Sequence, residues 1–273
     1  MKKKYLLSIT ALLLLFLAAC GGDENEEGSG SDLLEDGVLT VGVTAGPHEE
    51  IVEKVAEIAA EDGLEIETVV FSDYVMPNVS LDEGEIDISS FQTEPFMDAM
   101  IEERNLDIMK VADTVTFPMG VYSESVDSLD DLPDGATLGL PGDPTNSGRA
   151  LLLFEQAGLI TLEEGLGVNA TVNDVIDNPK NLELLELDSA QIPRQLGEVD
   201  AAAINSNFAI EAGLSPNDDS LFIEQDSTFV NLIATRTENQ DDEVVQQFID
   251  LYHTDEVKEF IEETFDGSVV PSW

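Results

Sequence analysis

The chain has 273 residues, with 58 acidic and 11 basic side chains, a formal net charge of −47, and an apolar content of 42%. Charge of that sign repels phosphate backbones and anionic headgroups, which argues against nucleic acid or an electrostatically bound lipid surface as a partner. A single cysteine and two histidines, His48 and His253, exclude an internal disulfide and leave a zinc site dependent on carboxylates.

The acids are spread along the whole length among apolar residues, unlike a disordered acidic tail. This pattern reads as a globular protein adapted to high salt, where a Debye length of about 3 Å at 1 M screens the self-repulsion. A very acidic protein from an ordinary habitat is the alternative.

At the N-terminus, Lys2, Lys3 and Lys4 precede a mostly apolar run from Tyr5 to Leu17, closed by Ala18-Ala19-Cys20. The run is shorter than the roughly 20 residues of a membrane-spanning helix, so residues 1–20 read as a secretory leader. Cysteine after Leu-Ala-Ala resembles the lipobox of bacterial lipoproteins, which implies acylation of Cys20 (palmitate among the acyl groups) and tethering outside the cytoplasmic membrane. A plain secreted protein is the alternative. Residues 21–36 read as an acidic, Gly/Ser-rich flexible tether.

Folded structure is expected from Gly37. Val38 to Val43 is a short β-branched run bounded by turn residues and reads as a buried strand. Pro47 suits the first turn of a helix whose apolar positions Ile51, Val55, Ile58 and Ala59 recur at helical spacing up to Asp62-Gly63. Glu65 to Phe71 alternates as a second strand. A helix from about Val75, a turn at Gly84 and a strand over 86–90 follow, an order that predicts a parallel sheet with right-handed crossovers. In the second half, 137–141 reads as a strand, 148–157 as a long apolar helix, and 182–187, 201–204 and 230–235 as short strands. Amphipathic helices are expected over 244–252 and 256–265. About 235 folded residues exceed one comfortable core, so two α/β lobes are expected.

Motifs for chemistry are scarce. The nearest approach to a calcium loop, Asp130 to Gly135, has Leu132 at the third ligand position and Pro141 at the closing one. No Walker loop, Gly-x-Gly-x-x-Gly or nucleophile elbow occurs, so neither an enzyme nor a cofactor is indicated. A zwitterionic ligand would need a cation, hydrogen-bond partners and an apolar slot. Arg149, in a Gly-Arg step at the start of an apolar helix, can take a carboxylate through two parallel hydrogen bonds. Pairing with one of the many acids is the competing role.

Several segments, in order, carry a family resemblance: 41–48 (VGVTAGPH), 71–75 (FSDYV), 84–87 (GEID), 91–92 (FQ), 129–135 (LDDLPDG), 143–153 (DPTNSGRALLL), 178–182 (NPKNL) and 200–205 (DAAAIN). Together they resemble the NlpA or MetQ family, the methionine-binding lipoproteins of ABC importers. That resemblance implies a two-lobed periplasmic-binding-protein fold, type II-like, with two crossings of the chain. The crossings are expected near 116–122 and 230–236. Lobe 1 would span 37–118 and 231–273, and lobe 2 119–230.

The resemblance further implies that Arg149 holds the ligand carboxylate and that Asn205 and Asn231 bond its polar groups. Tyr74 and Phe91 would wall the side-chain slot. Ordinary core packing is the alternative for the aromatics, and a turn-forming role for Asn205. Where family members often read Phe-Gln-His-x-Pro-Tyr, this chain has Phe91-Gln92-Thr93-Glu94-Pro95-Phe96, so Thr93 and Phe96 bear on which solute is bound. The function implied is capture of methionine and delivery to a permease with its ATPase, by a monomer. Another small solute, such as a methionine derivative, short peptide or other apolar amino acid, is the alternative, as is adhesion or signalling. Arg149→Ala is expected to spare folding and lower affinity.

Overall fold

The computed structural model describes residues 32–34, 37–225 and 228–273. The expected leader, Cys20 and most of the expected tether lie outside the described residues. Within that tether, however, Asp32–Leu34 forms a 3-10 turn and Leu33 is buried in the core. An apolar pair at the end of an acidic stretch has a hydrophobic reason to fold back.

The first elements are β1 (Val38–Thr44), α1 (Pro47–Glu61), β2 (Glu65–Phe71), α2 (Met76–Asp82), β3 (Ile88–Thr93), α3 (Glu94–Arg104) and β4 (Ile108–Thr116). Next come β5 (Gly120–Tyr122), β6 (Thr137–Pro141), α4 (Pro144–Gln156), β7 (Thr161–Leu162) and β8 (Val175–Asp177). They are followed by β9 (Glu183–Leu187), α5 (Ile192–Gln195), β10 (Ala201–Ile204), α6 (Ser206–Glu211) and β11 (Phe222–Ile223). The chain closes with β12 (Val230–Arg236), α7 (Glu243–Tyr252), α8 (Asp255–Phe265) and β13 (Val270–Pro271).

Two main sheets result. The larger has the order β13-β4-β12-β3-β1-β2 and the smaller β11-β5-β10-β6-β9. β1 pairs parallel with β2 and β3, as the strand–helix alternation predicts. β12 runs antiparallel to both β3 and β4, and β13 antiparallel to β4, so the sheet is mixed rather than wholly parallel. The reason is connectivity: β12 enters from the other sheet instead of through a helical crossover. In the smaller sheet β6 is parallel to β9 and β10, while β5 is antiparallel to β10 and β11.

Each sheet is covered on both faces. Val41, Val43 and Ile233 share a core with Ile51, Val55, Phe248, Tyr252 and Ile261 from α1, α7 and α8. Leu232 and Ala234 point the other way, onto Leu81 of α2 and Met97 of α3. β10 divides by the period-2 rule: Ala201 and Ala203 meet the α4 side, Ala202 and Ile204 the α5 and α6 side.

Two connectors join the sheets. Residues 117–119 lead from β4 to β5, and the second connector, described at residues 224–225 and 228–229, lies between β11 and β12. The second crossing was expected over 230–236. That apolar run is itself a strand of the larger sheet, because its alternating side chains are buried on both faces. The connectors touch: Glu224 N–H donates to Met119 O at 2.8 Å, and Met119 N–H to Glu224 Oε2 at 3.2 Å.

Candidate functional site

The carboxyl ends of the parallel strands are where an open α/β sheet leaves a crevice. Here those ends carry polar and aromatic side chains that meet between the two sheets. Thr44 ends β1 and His48 follows it, Tyr74 follows β2, and Phe91, Thr93 and Phe96 stand at the end of β3. Asn146 and Arg149 follow β6, and Asn205, Ser206 and Asn207 follow β10. Together with Gln92, Phe117 and Asn231, all of these but Thr44 line one cavity with about 380 Å³ of atom-free space, part of it open to solvent. All seven side chains expected from the sequence, Tyr74, Phe91, Thr93, Phe96, Arg149, Asn205 and Asn231, are among its walls.

One wall is aromatic. The Tyr74 ring lies 6.0 Å from Phe91, 5.7 Å from Phe96 in an edge-on arrangement, and 4.8 Å from Phe208 of α6. Tyr74 Oη donates to Asn207 Oδ1 at 2.7 Å, joining a residue beside the larger sheet to one beside the smaller. Burial, with Asp143 nearby as a lesser cause, pushes the Tyr74 phenol well above its ordinary pKa, so it stays a neutral donor.

The opposite wall is polar. His48 sits in the first turn of α1, which Gly46 enters at φ 82, a left-handed conformation that glycine adopts without steric cost. His48 Nε2 is 3.2 Å from Asn231 Oδ1, and its Nδ1 is 2.8 Å from Thr44 Oγ1. A carbonyl oxygen only accepts, so Nε2 carries the proton and Nδ1 accepts from the Thr44 hydroxyl. Burial holds His48 down to about pKa 4, against a smaller upward effect of the bond to Asn231. The Asn231 amino group is thereby turned away from His48.

Arg149 is 4% exposed and belongs to the first turns of α4, which Asp143 caps. Its Nε donates to Glu224 Oε1 at 3.0 Å and its Nη2 to Glu224 Oε2 at 2.6 Å, a two-pronged pair. Nη2 also donates to Phe117 O at 2.7 Å, and the Phe229 ring lies 4.4 Å from the guanidinium carbon. The cation is thus locked to both connectors. α4 packs closely on residues 167–169 because residue 148 is glycine: a Cβ there would stand 2.0 Å from Val168 O.

Sequence reasoning missed Glu224, His48, Gln92, Phe117, Asn146, Ser206 and Asn207. His48, Asn146, Ser206 and Asn207 had a usable signal, since each lies in the turn or first helical turn that follows a strand of the parallel set. Gln92 makes a reciprocal amide pair with Asn78, at 2.7 and 2.6 Å, and so braces β3 against α2. Among the described residues no group of three or more metal-ligating side chains gathers, and no helix is long and apolar enough to cross a membrane. The arrangement suits binding: donors, an amide acceptor and an apolar slot, all largely preformed.

Known proteins resemble this chain in sequence and fold. The D-methionine-binding lipoprotein MetQ of Salmonella typhimurium is 40% identical over 263 residues, covering 95% of this chain and 94% of its own. A probable D-methionine-binding lipoprotein MetQ of Vibrio cholerae is 41% identical, covering 95% of this chain and 97% of its own. Among solved structures, a nutrient-binding protein from Burkholderia cenocepacia bound to methionine matches with a TM-score of 0.84 at 44% identity, over 86% of this chain and all of the other. A putative methionine-binding lipoprotein from Bacillus subtilis matches with a TM-score of 0.84 at 33% identity, over 87% of this chain and 98% of the other. These likenesses fit the two-lobed periplasmic-binding-protein fold, and the NlpA lipoprotein model matches residues 39–273. The chain belongs to the NlpA lipoprotein family.

Proposed function

We propose that this protein is the solute-binding lipoprotein of an ABC importer and that its solute is methionine. The observation that carries the reading is the cavity between the sheets, with an aromatic wall of Tyr74, Phe91 and Phe96 facing Arg149, Asn205 and Asn231. The thioether side chain would lie along the aromatic wall, where sulfur–ring contacts add to burial. Arg149 would take the carboxylate, its plane held by Glu224, and Asn205 and Asn231 would bond the polar groups of the solute. The relatives named for D-methionine and the Burkholderia protein bound to methionine support this choice of solute.

In this reading no bond of the solute is made or broken, and the protein is a binder rather than an enzyme. Lobe 1 (37–118 and 231–273) and lobe 2 (119–230) would close on the solute by bending at the two connectors. The closed monomer would then dock on a permease driven by a separate ATPase. Cys20 would carry the lipid that holds the protein on the outer face of the cytoplasmic membrane, so Cys20→Ser should move it into the soluble fraction.

Mass spectrometry of whatever leaves the protein on denaturation, after purification in high salt without residues 1–20, tests the solute. Stoichiometric methionine, with competition between its L and D forms, is the expected result. A different solute would retain importer function and move specificity to Thr93 and Phe96. An empty protein that binds no added amino acid would overturn the reading in favour of adhesion or signalling.

A further inference from the structure

Asn205 is held in one orientation, and the hold begins at Asp143. Asp143 Oδ1 accepts from the Asn146 backbone N–H at 3.0 Å, from Asn146 Nδ2 at 2.9 Å and from Thr145 Oγ1 at 3.4 Å, while Oδ2 accepts from Ser189 Oγ at 3.1 Å. A carboxylate only accepts, so Asn146 has to turn its amino group to Asp143 and its carbonyl oxygen the other way. Asn205 meets that oxygen and therefore has to donate, Nδ2 to Asn146 Oδ1 at 2.9 Å. What remains is Asn205 Oδ1. It is buried and has no hydrogen-bond partner among the described residues, in a side chain that lines the cavity and is 8% exposed.

A buried carbonyl oxygen left unpaired costs its full desolvation penalty. A ligand N–H placed against it removes that penalty. The geometry points to Asp143 and Asn146 as positioning residues that fix the polarity of Asn205, so that the cavity presents an acceptor there to a protonated amine of the ligand. His48 does the converse at Asn231: its Nε2–H takes the Asn231 oxygen and leaves an amino group for an acceptor. The two asparagines then read opposite ends of a zwitterion. Without Asp143, either asparagine could turn over, and an amine and an acceptor would no longer be told apart at Asn205. This inference rests on the amino-acid capture proposed above.

The test is the ratio of affinities for methionine and for its amine-free analogue, 4-(methylthio)butanoate, measured by calorimetry in wild type and in Asp143→Ser. Serine is as good a helix cap as aspartate, so α4 keeps its start, but its hydroxyl both donates and accepts and no longer dictates which way Asn146 turns. Wild type should prefer methionine by about a hundredfold, and Asp143→Ser should narrow that preference to about tenfold. General loosening of the site would weaken both ligands together and leave the ratio alone. A ratio unchanged in Asp143→Ser, or a wild type that does not distinguish the two ligands, overturns the inference while leaving methionine capture standing.

If wild type binds neither ligand, the methionine reading is what fails, and the orientation lock is then read without ligand. Side-chain amide hydrogens of Asn146 and Asn205 should exchange about tenfold faster in Asp143→Ser, since the carboxylate that fixes Asn146, and through it the acceptor of Asn205, is gone. Equal exchange in the two proteins overturns the lock.

Discussion

At the scale of single residues, Arg149, Glu224 and His48 are buried groups whose charge the fold must manage. The Arg149 and Glu224 side chains are each 5% exposed, so removing either leaves the other charge buried without its partner. Arg149→Ala should therefore cost about 3–5 kcal/mol of stability as well as affinity, contrary to the sequence expectation that folding is spared. Urea unfolding of Arg149→Ala beside Arg149→Met/Glu224→Gln separates the effects, because the double variant buries no charge and should recover most of the loss. His48 supplies a pH signature. Its pKa is near 4 when folded and 6.5 when unfolded, so between those values the unfolded chain binds the extra proton. Stability falls as pH drops through that window, by up to about 3 kcal/mol, and levels off below it. Wild type minus His48→Gln, followed by thermal unfolding from pH 7 to 4, should show this slope; parallel curves would refute it. Glu224 was illegible in the sequence for a physical reason. It follows Leu221-Phe222-Ile223 in a segment too short to show a periodic pattern, and one glutamate among 58 acids carries no mark of its partner. Asn231 was legible because an amide inside an apolar strand needs a reason to be there.

At the scale of elements, α4 shows both what periodicity reveals and where it stops. The apolar run announces a helix over 148–157, but the helix begins four residues earlier, at Pro144. Asp143 followed by proline is a start signal in its own right, and the cap bond to Asn146 N–H is what makes the first turn. Those added residues bring Asn146 into the site. The helices α1, α7 and α8 and the strands β1, β2, β6, β9, β10 and β12 follow apolar spacing closely, with β10 matching over 201–204 and α7 starting one residue early, whereas the short α5 and α6 had no assigned element. No element was assigned to 94–115, where α3 and β4 lie; the α3 apolar residues are diluted by acids and β4 is only partly buried. At Gly148, α4 leaves no room for a Cβ against the Val168 backbone. Gly148→Ala should force the helix away from residues 167–169, costing about 1–3 kcal/mol and displacing Arg149 at the next position. Chemical denaturation and solute affinity should both fall; a stable variant with weakened binding alone would place the strain at Arg149 only.

At the scale of the molecule, charge and connectivity dominate. A formal −47 on 273 residues means that the fold is held against its own field. Cations are few partners for so many acids: Lys54 lies between Glu57 and Glu256, and Lys110 between Glu94 and Asp113. The melting temperature should climb steeply as sodium chloride rises from 0.1 to 1 M, the range over which the Debye length shrinks from about 10 to 3 Å. A flat response would speak against adaptation to salt. The two-lobed architecture was legible from motif order, whereas the place of β12 was not, because pairing partners distant in sequence leave no periodic trace. That place matters before the protein ever meets a solute. β12 lies between β3 and β4, strands made more than a hundred residues earlier, and it is held by both. Until Val230–Arg236 emerges, β3 and β4 each present an open edge with nothing to close it. Synthesis at about 5–20 residues per second leaves that gap open for several seconds. A chain whose keystone strand arrives near its end stays unfinished for most of its manufacture, which is the condition in which a polypeptide can be threaded through a narrow export channel.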